Sequence, residues 1–222
     1  NGAEPWKVPD LAEIPRIDLH FATEPNTTAA DGSPRFMPYR RDPQTLARPW
    51  ALPGTKGLEH RVGGLEKSAH TGAISYDPAN HEEMVATRAA KVKGIAKTIP
   101  PTAVDDPSGD ADVLVLGWGS AYGPITAAVR RVRARGLSIA QAHVRHLNPL
   151  PEDLGDVLRR YRQIVVPEMN TGQFAMLLRS KYLIDVKTIS RVRGLPISPV
   201  DLCDELCRHC GDSKGSDDTR EA

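Results

Sequence analysis

From residue 112 onward the chain alternates short apolar runs with amphipathic ones. After Asp112, Val113-Leu114-Val115-Leu116 is a continuous apolar stretch that runs into Gly117-Trp118-Gly119-Ser120. Such a run predicts a strand buried on both faces, closed by a tight glycine turn. Residues 121–135 then predict a helix. The order repeats. Residues 137–144, 163–167 and 186–192 predict further strands, and residues 151–161, 171–181 and 198–210 predict further helices. Leu154, Val157 and Leu158 share one helical face, as do Phe174, Ala175, Leu177 and Leu178. Ser198 is an N-cap candidate with Pro199 at the first helical position. Strands alternating with helices imply an α/β fold: a mostly parallel sheet with helices on both faces, spanning residues 112–210.

The first part of the chain has no such rhythm. Residues 1–76 carry nine prolines up to Pro53, which break any long helix or central strand. Residues 15–21 alternate and predict one strand. The segment nevertheless contains Trp6, Phe21, Phe36, Tyr39, Trp50 and Tyr76, more aromatic side chains than a disordered linker carries. An extended arm, ordered against another domain or subunit, accounts for both features. Its predicted anchors are Trp6, Phe21, Phe36, Tyr39 and Trp50. Residues 77–111 read as a linking helix and loop: Asp77-Pro78 opens the helix, and Met84, Val85, Ala89, Val92, Ile95, Ala96 and Ile99 recur at three- and four-residue steps. Pro100-Pro101 ends it. Residues 211–222 form a polar tail, expected to be disordered.

Charge narrows the function. The chain has 29 basic and 28 acidic residues, so it lacks the electrostatic footprint of a nucleic-acid binder. No apolar run reaches the length of a membrane span. Three Cys, all near the C-terminus, give no disulfide framework and point to a reduced, cytoplasmic protein. The start at Asn1 lacks Met and any signal-peptide pattern, and reads as a cut or processed end with sequence missing upstream.

Few positions offer chemistry. Gly119 and Ser120 sit where a strand end meets a helix start, a place that favours anions. The dinucleotide spacing fails, because Tyr122 stands where the third glycine would be, and His143 and Arg145 end the next strand instead of an acid. A tight turn with Ser120 as N-cap is the simpler account. Glu168, Asn170 and Gln173 follow the third strand and admit two readings: caps of the next helix, or polar contacts to a partner or ligand. His60 and Arg61, among glycines, read as a surface loop or as a cradle for an anion. Cys203, Cys207 and Cys210 have a spacing seen in iron–sulfur ligation, yet they share one helical face with Val200 and read as core. No nucleophile–base pair and no metal motif is evident, so no catalytic residue is assigned.

Five segments occur in a telling order: Arg35-Phe36-Met37-Pro38-Tyr39, Arg48-Pro49-Trp50-Ala51-Leu52-Pro53-Gly54, Gly57-Leu58-Glu59-His60, Tyr76-Asp77-Pro78-Ala79-Asn80-His81 and Glu168-Met169-Asn170-Thr171-Gly172-Gln173. Together they resemble the C-terminal part of the alpha subunit of 2-oxoacid:ferredoxin oxidoreductases, nearest the 2-oxoglutarate type, over about residues 1–205. The resemblance implies an enzyme using thiamine diphosphate, magnesium and an iron–sulfur cluster to convert a 2-oxoacid and CoA to an acyl-CoA while reducing ferredoxin. It implies a pyrimidine-binding domain upstream, a beta subunit as partner, and a transketolase C-terminal-like domain at 112–210 that assembles the complex. It leaves this chain alone inactive, and makes Trp6, Phe36, Tyr39, Trp50, Glu168, Asn170 and Gln173 interface candidates. A pyruvate-type subunit and a stand-alone module binding a small anion are the alternatives.

Overall fold

The computed structural model describes residues 8–214. Two compact units emerge, Val8–Lys97 and the residues from Thr98 onward.

The first unit has little regular structure. A two-residue hairpin pairs β1 (Thr27–Thr28) with β2 (Pro34–Arg35). Its turn is closed by Asp31, whose carboxylate accepts from the Ser33 amide at 3.0 Å, beside Gly32 at φ +84°. The predicted strand at 15–21 does not form. An isolated bridge between Ala22 and Ala51 stands near its end, and Ile17, Leu19 and Phe21 are exposed. Alternation alone cannot make a strand; it needs a second strand to fill the backbone bonds.

What orders this unit is side-chain capture of backbone. Asn26 accepts from the Met37 amide at 2.8 Å and donates to the Met37 carbonyl at 3.0 Å. Asn80 accepts from the Ala69 amide at 2.8 Å and donates to the Lys67 carbonyl at 3.0 Å. Each amide side chain thus replaces a missing ladder rung. Helix α1 (Pro78–Gly94) starts as its sequence predicts, with the Asp77 carboxylate accepting from the Ala79 amide at 3.0 Å and Pro78 at the first turn. A 3-10 turn, Ile95–Thr98, follows. The apolar stripe is only partly used: Met84 and Ala96 are buried, whereas Val85, Val92 and Ile95 are not.

The second unit is a five-stranded sheet. Its strands are β3 (Val104–Asp105), β4 (Val113–Trp118), β5 (Ala140–Val144), β6 (Gln163–Glu168) and β7 (Val186–Ser190), in the order β3-β5-β4-β6-β7. All neighbours are parallel except β3, which pairs antiparallel with β5. The mostly parallel α/β architecture is therefore the one expected, with an added edge strand too short to leave a hydrophobic signal. Helices α2 (Tyr122–Ala134), α3 (Leu154–Arg159), α4 (Gln173–Tyr182) and α5 (Pro199–Lys214) complete the unit.

Strand β4 shows why both faces are apolar. Leu114 and Leu116 face a core with Leu154, Leu158, Phe174 and Leu178, from α3 and α4. Val113 and Val115 face the opposite core with Ile125, Val129, Val132, Leu202 and Leu206, from α2 and α5. Successive strand residues point to opposite sides, so an unbroken apolar run serves two layers at once. Each fully buried Leu or Val contributes roughly 1.5–3 kcal/mol of transfer free energy. Several boundaries moved inward from the predicted ones. The strand expected at 137–144 begins at Ala140 because α2 ends in a turn through Gly136 at φ +79°, and the Leu137 amide still bonds back to the Val132 carbonyl at 3.4 Å. Helix α3 is shorter than 151–161, whereas α5 runs past Cys210 to Lys214, into the predicted tail. The rest of that tail, and Trp6, lie outside the described residues.

Candidate functional site

Ligands of open parallel sheets bind beyond the carboxyl ends of the strands, so the site is sought where β4, β5 and β6 end. Gly117, on β4, is glycine because of what lies over it. A Cβ there would meet Ile125 Cδ1 at 2.6 Å and His143 Nδ1 at 3.0 Å. His143, on β5, thereby packs against the β4 backbone, and its Nδ1 is buried without a hydrogen-bond partner. The Tyr122 ring meets the imidazole edge-on with centroids 5.0 Å apart. Burial first, then the Arg145 charge, push the His143 pKa down, and the Gly119 backbone pulls the other way. Burial thus favours the neutral ring over the charged one.

Gly119 adopts φ +57° and opens a 3-10 turn, Gly119–Ala121, that leads into α2. Ser120 does not cap that helix: the capping position is Ala121, and no side chain bonds the first-turn amides. The expectation of Ser120 as N-cap is corrected, because the 3-10 turn takes in Ser120 and moves the helix start one residue along, to Tyr122.

Glu168 ends β6 and is 1 % exposed. Its Oε2 accepts from the Phe174 amide and its Oε1 from the Ala175 amide, each at 3.0 Å. The Trp118 indole N–H approaches Oε2 at 3.4 Å. Asn170 Oδ1 accepts from the Gly172 and Gln173 amides at 2.7 and 3.2 Å. The two side chains together occupy the donors that begin α4, and the carboxylate sits at the positive end of the helix dipole. Of the two readings left open for Glu168, the structure shows the cap, and its place among the interface candidates is corrected, since its carboxyl group is enclosed and both oxygens are engaged. Gln173 is exposed and Asn170 half-buried, so both remain at the surface of this edge.

The Cys face of α5 turns into the fold. Cys203 and Cys210 are buried beside Leu202 and Leu206, and burial, with Cys207 nearby, pushes the Cys203 thiol up. Cys207 is half-buried, 3.5 Å from Arg135 Nη1, which also pairs with Asp204 at 2.8 Å. Val200, expected on the same stripe, is exposed.

In the first unit, His60 Nδ1 lies 2.7 Å from the Leu58 carbonyl, and its ring leans on Phe36 with centroids 5.3 Å apart. Phe36 is 8 % exposed, which corrects its expected role as an outward anchor: it belongs to this unit's own small core. Tyr39 is half-buried under two guanidinium groups, Arg61 is exposed, and Trp50 stands 62 % exposed. His60 and Arg61 belong to a different unit from Gly119 and Ser120.

Comparison with known proteins bears on this arrangement. Residues 111–202 match the family model of the pyruvate:ferredoxin oxidoreductase core domain II. The chain is 51 % identical, over 94 % of its length, to the 2-oxoglutarate oxidoreductase subunit KorA of Mycobacterium tuberculosis. The chain is homologous to the alpha subunits of 2-oxoacid:ferredoxin oxidoreductases. The alpha subunit of 2-oxoacid:ferredoxin oxidoreductase 1 from Aeropyrum pernix is 31 % identical over 64 % of the chain. The 2-oxoglutarate:ferredoxin oxidoreductase from Magnetococcus marinus, solved with 2-oxoglutarate, coenzyme A and succinyl-CoA bound, superposes with a TM-score of 0.72 and 29 % identity, covering 83 % of this chain and 32 % of that one. The chain spans 30 % of the length of the mycobacterial KorA and 23 % of the Aeropyrum subunit.

Among the described residues, no group of three or more His, Cys, Asp or Glu side chains could hold a metal ion. An iron–sulfur cluster needs converging thiolates, whereas Cys203 and Cys210 pack as apolar side chains in the core between α5 and the sheet. Sequence reading named Trp118, Tyr122 and His143 only as positions in the strand and turn, and did not bring them together as one cluster. The usable signal was Gly117, a glycine inside an otherwise apolar strand, which marks a close approach by a neighbour.

Proposed function

We propose that the chain is the scaffolding and assembly portion of the alpha subunit of a 2-oxoglutarate:ferredoxin oxidoreductase. The whole enzyme would convert 2-oxoglutarate and CoA to succinyl-CoA and carbon dioxide, passing the electrons to ferredoxin, in the cytoplasm. Thiamine diphosphate, magnesium and the iron–sulfur cluster would be held by other parts of the complex. The single observation that carries this reading is the 51 % identity to KorA over 208 residues, a length that necessarily includes both units. The layout proposed is an arm at 1–76 following a pyrimidine-binding domain, a link at 77–111, and the assembly domain at 112–210.

The exposed side chains of the arm support this role. Ile17, Leu19, Phe21, Trp50 and Leu52 are all solvent-facing in this chain. Ordering such a segment costs roughly 1–2 kcal/mol per residue in backbone entropy, and burying these side chains on the beta subunit or on other alpha-subunit domains offsets it. Trp50→Ala should weaken assembly of the complex by at least tenfold; unchanged assembly would remove the arm from the interface.

A pyruvate-type enzyme is the second reading, favoured by the name of the matching family model. Both are tested by one assay: CoA-dependent reduction of a viologen dye by the full-length subunit with its beta subunit, given 2-oxoglutarate or pyruvate. Faster turnover with 2-oxoglutarate is expected, and none from the 222-residue chain alone. Preference for pyruvate would select the second reading, and turnover by the chain alone would refute the scaffold role.

A further inference from the structure

Positive charge gathers around one ring in the first unit. The Arg48 guanidinium lies 4.5 Å, and that of Arg41 5.8 Å, from the Tyr39 ring centroid. Arg41 also donates to the Leu46 carbonyl at 3.0 Å and reaches Met84 Sδ at 4.0 Å. Burial first, then repulsion by Arg48, push the Arg41 guanidinium below its ordinary range, with Arg88 acting in the same direction.

Tyr39 and Met84 line a cavity of about 340 Å³, together with Glu66, Lys67 and Arg88. Lys67 is 3 % exposed. Its ammonium donates to the Gly63 carbonyl at 2.7 Å and to the Leu65 carbonyl, both neutral acceptors. An ammonium has three donors, so one remains after these two bonds. The cavity's carboxylate, Glu66, is already engaged by His81 and by Arg88, the latter at 3.0 Å. Among the described residues, neither Lys67 nor Arg41 nor Arg48 has a carboxylate within ion-pair distance. A buried cation without a counter-charge is a costly arrangement, and an anion brought into the cavity relieves it.

We propose that this cavity binds a small oxyanion, a carboxylate or phosphate group, seated against Lys67 within the positive field of Arg88, Arg41 and Arg48. The group is either a free anion or the acidic side chain of another part of the assembled enzyme. The site lies within Val8–Lys97 and does not depend on which 2-oxoacid the enzyme takes.

Inorganic phosphate, titrated calorimetrically into the 222-residue chain at fixed ionic strength with chloride as control, tests it. Saturable one-to-one binding is expected, at least tenfold weaker in Lys67→Met and in Arg48→Gln. Lys67→Met keeps the buried stem while removing the charge. Arg48→Gln changes a side chain that rests on the face of Tyr39, so it serves where the first variant fails to fold. The titration is repeated on the assembled enzyme. Binding there as well assigns the site to a free anion; binding by the chain but not by the assembly assigns it to an internal acidic side chain. Absence of saturable binding by the chain, or equal affinity in the wild type and both folded variants, overturns the proposal.

Discussion

Replacing Glu168 by alanine tests how the second unit holds its sheet edge together. The wild-type carboxylate is 1 % exposed and accepts from the Phe174 and Ala175 amides at 3.0 Å each. Truncation leaves both amides without acceptors in a space closed to water. A hydrogen bond to a charged group contributes about 1.5–3 kcal/mol, and a buried donor left unpaired costs about 1–3 kcal/mol. The same change relieves the cost of enclosing a charge, which offsets part of the loss. The longer contact from the Trp118 indole, at 3.4 Å, adds little. The expected net loss is about 3 kcal/mol for Glu168→Ala, and about half of that for Glu168→Gln, which keeps one acceptor and the packing volume. Urea unfolding followed by circular dichroism measures the total. Native-state hydrogen exchange localises it, because the Phe174 and Ala175 amides should lose protection before those at the centre of α4. A loss below about 1 kcal/mol, or unchanged exchange at those two amides, would refute the capping account.

Three further outcomes follow from the same geometry. Gly117→Ala places a methyl group 2.6 Å from Ile125 Cδ1 and 3.0 Å from His143 Nδ1, so thermal unfolding should show a loss of about 1–3 kcal/mol, the ordinary cost of overpacking. His143 has a lowered pKa in the folded chain, so the unfolded chain binds its proton first as pH falls. Stability should therefore decline as pH drops through the ordinary histidine pKa of about 6.5 toward the lower folded value, and His143→Phe should flatten that part of the profile. Native alkylation with iodoacetamide, read by mass spectrometry, should modify Cys207 well before Cys203 and Cys210, which react only after unfolding. Equal labelling of all three would contradict the packing of α5.

The sequence reported the second unit well because its signals are local. A run such as Val113–Leu116 is apolar at every position, which a two-layered sheet requires and a one-sided one does not. Asp77-Pro78 is a helix start by its own stereochemistry, before any tertiary contact exists. The strand expected at 15–21 failed for the opposite reason. Its alternation was real, but a strand is completed by a neighbour, and Ile17 and Leu19 have none among the described residues. The two-residue β3 carried no pattern and exists because β5 offers it an edge.

The same division holds for the candidate sites. The residues near Glu168 identified a helix start and a strand end, yet left open whether the carboxylate caps or contacts. That was decided by the length of the loop from Glu168 to Gln173, which folds the acid back onto the amides of α4. Lys67 drew no notice as one basic residue among 29. Only the fold of the loop around Gly63 and Leu65 buries it and leaves it without a carboxylate. By itself, then, the sequence determined which segments become strand or helix and which family the chain resembles, because propensity, capping and ordered motifs are written along the chain. Tertiary structure decided which charges are enclosed and which stay open, because burial and pairing depend on residues far apart in sequence meeting in space.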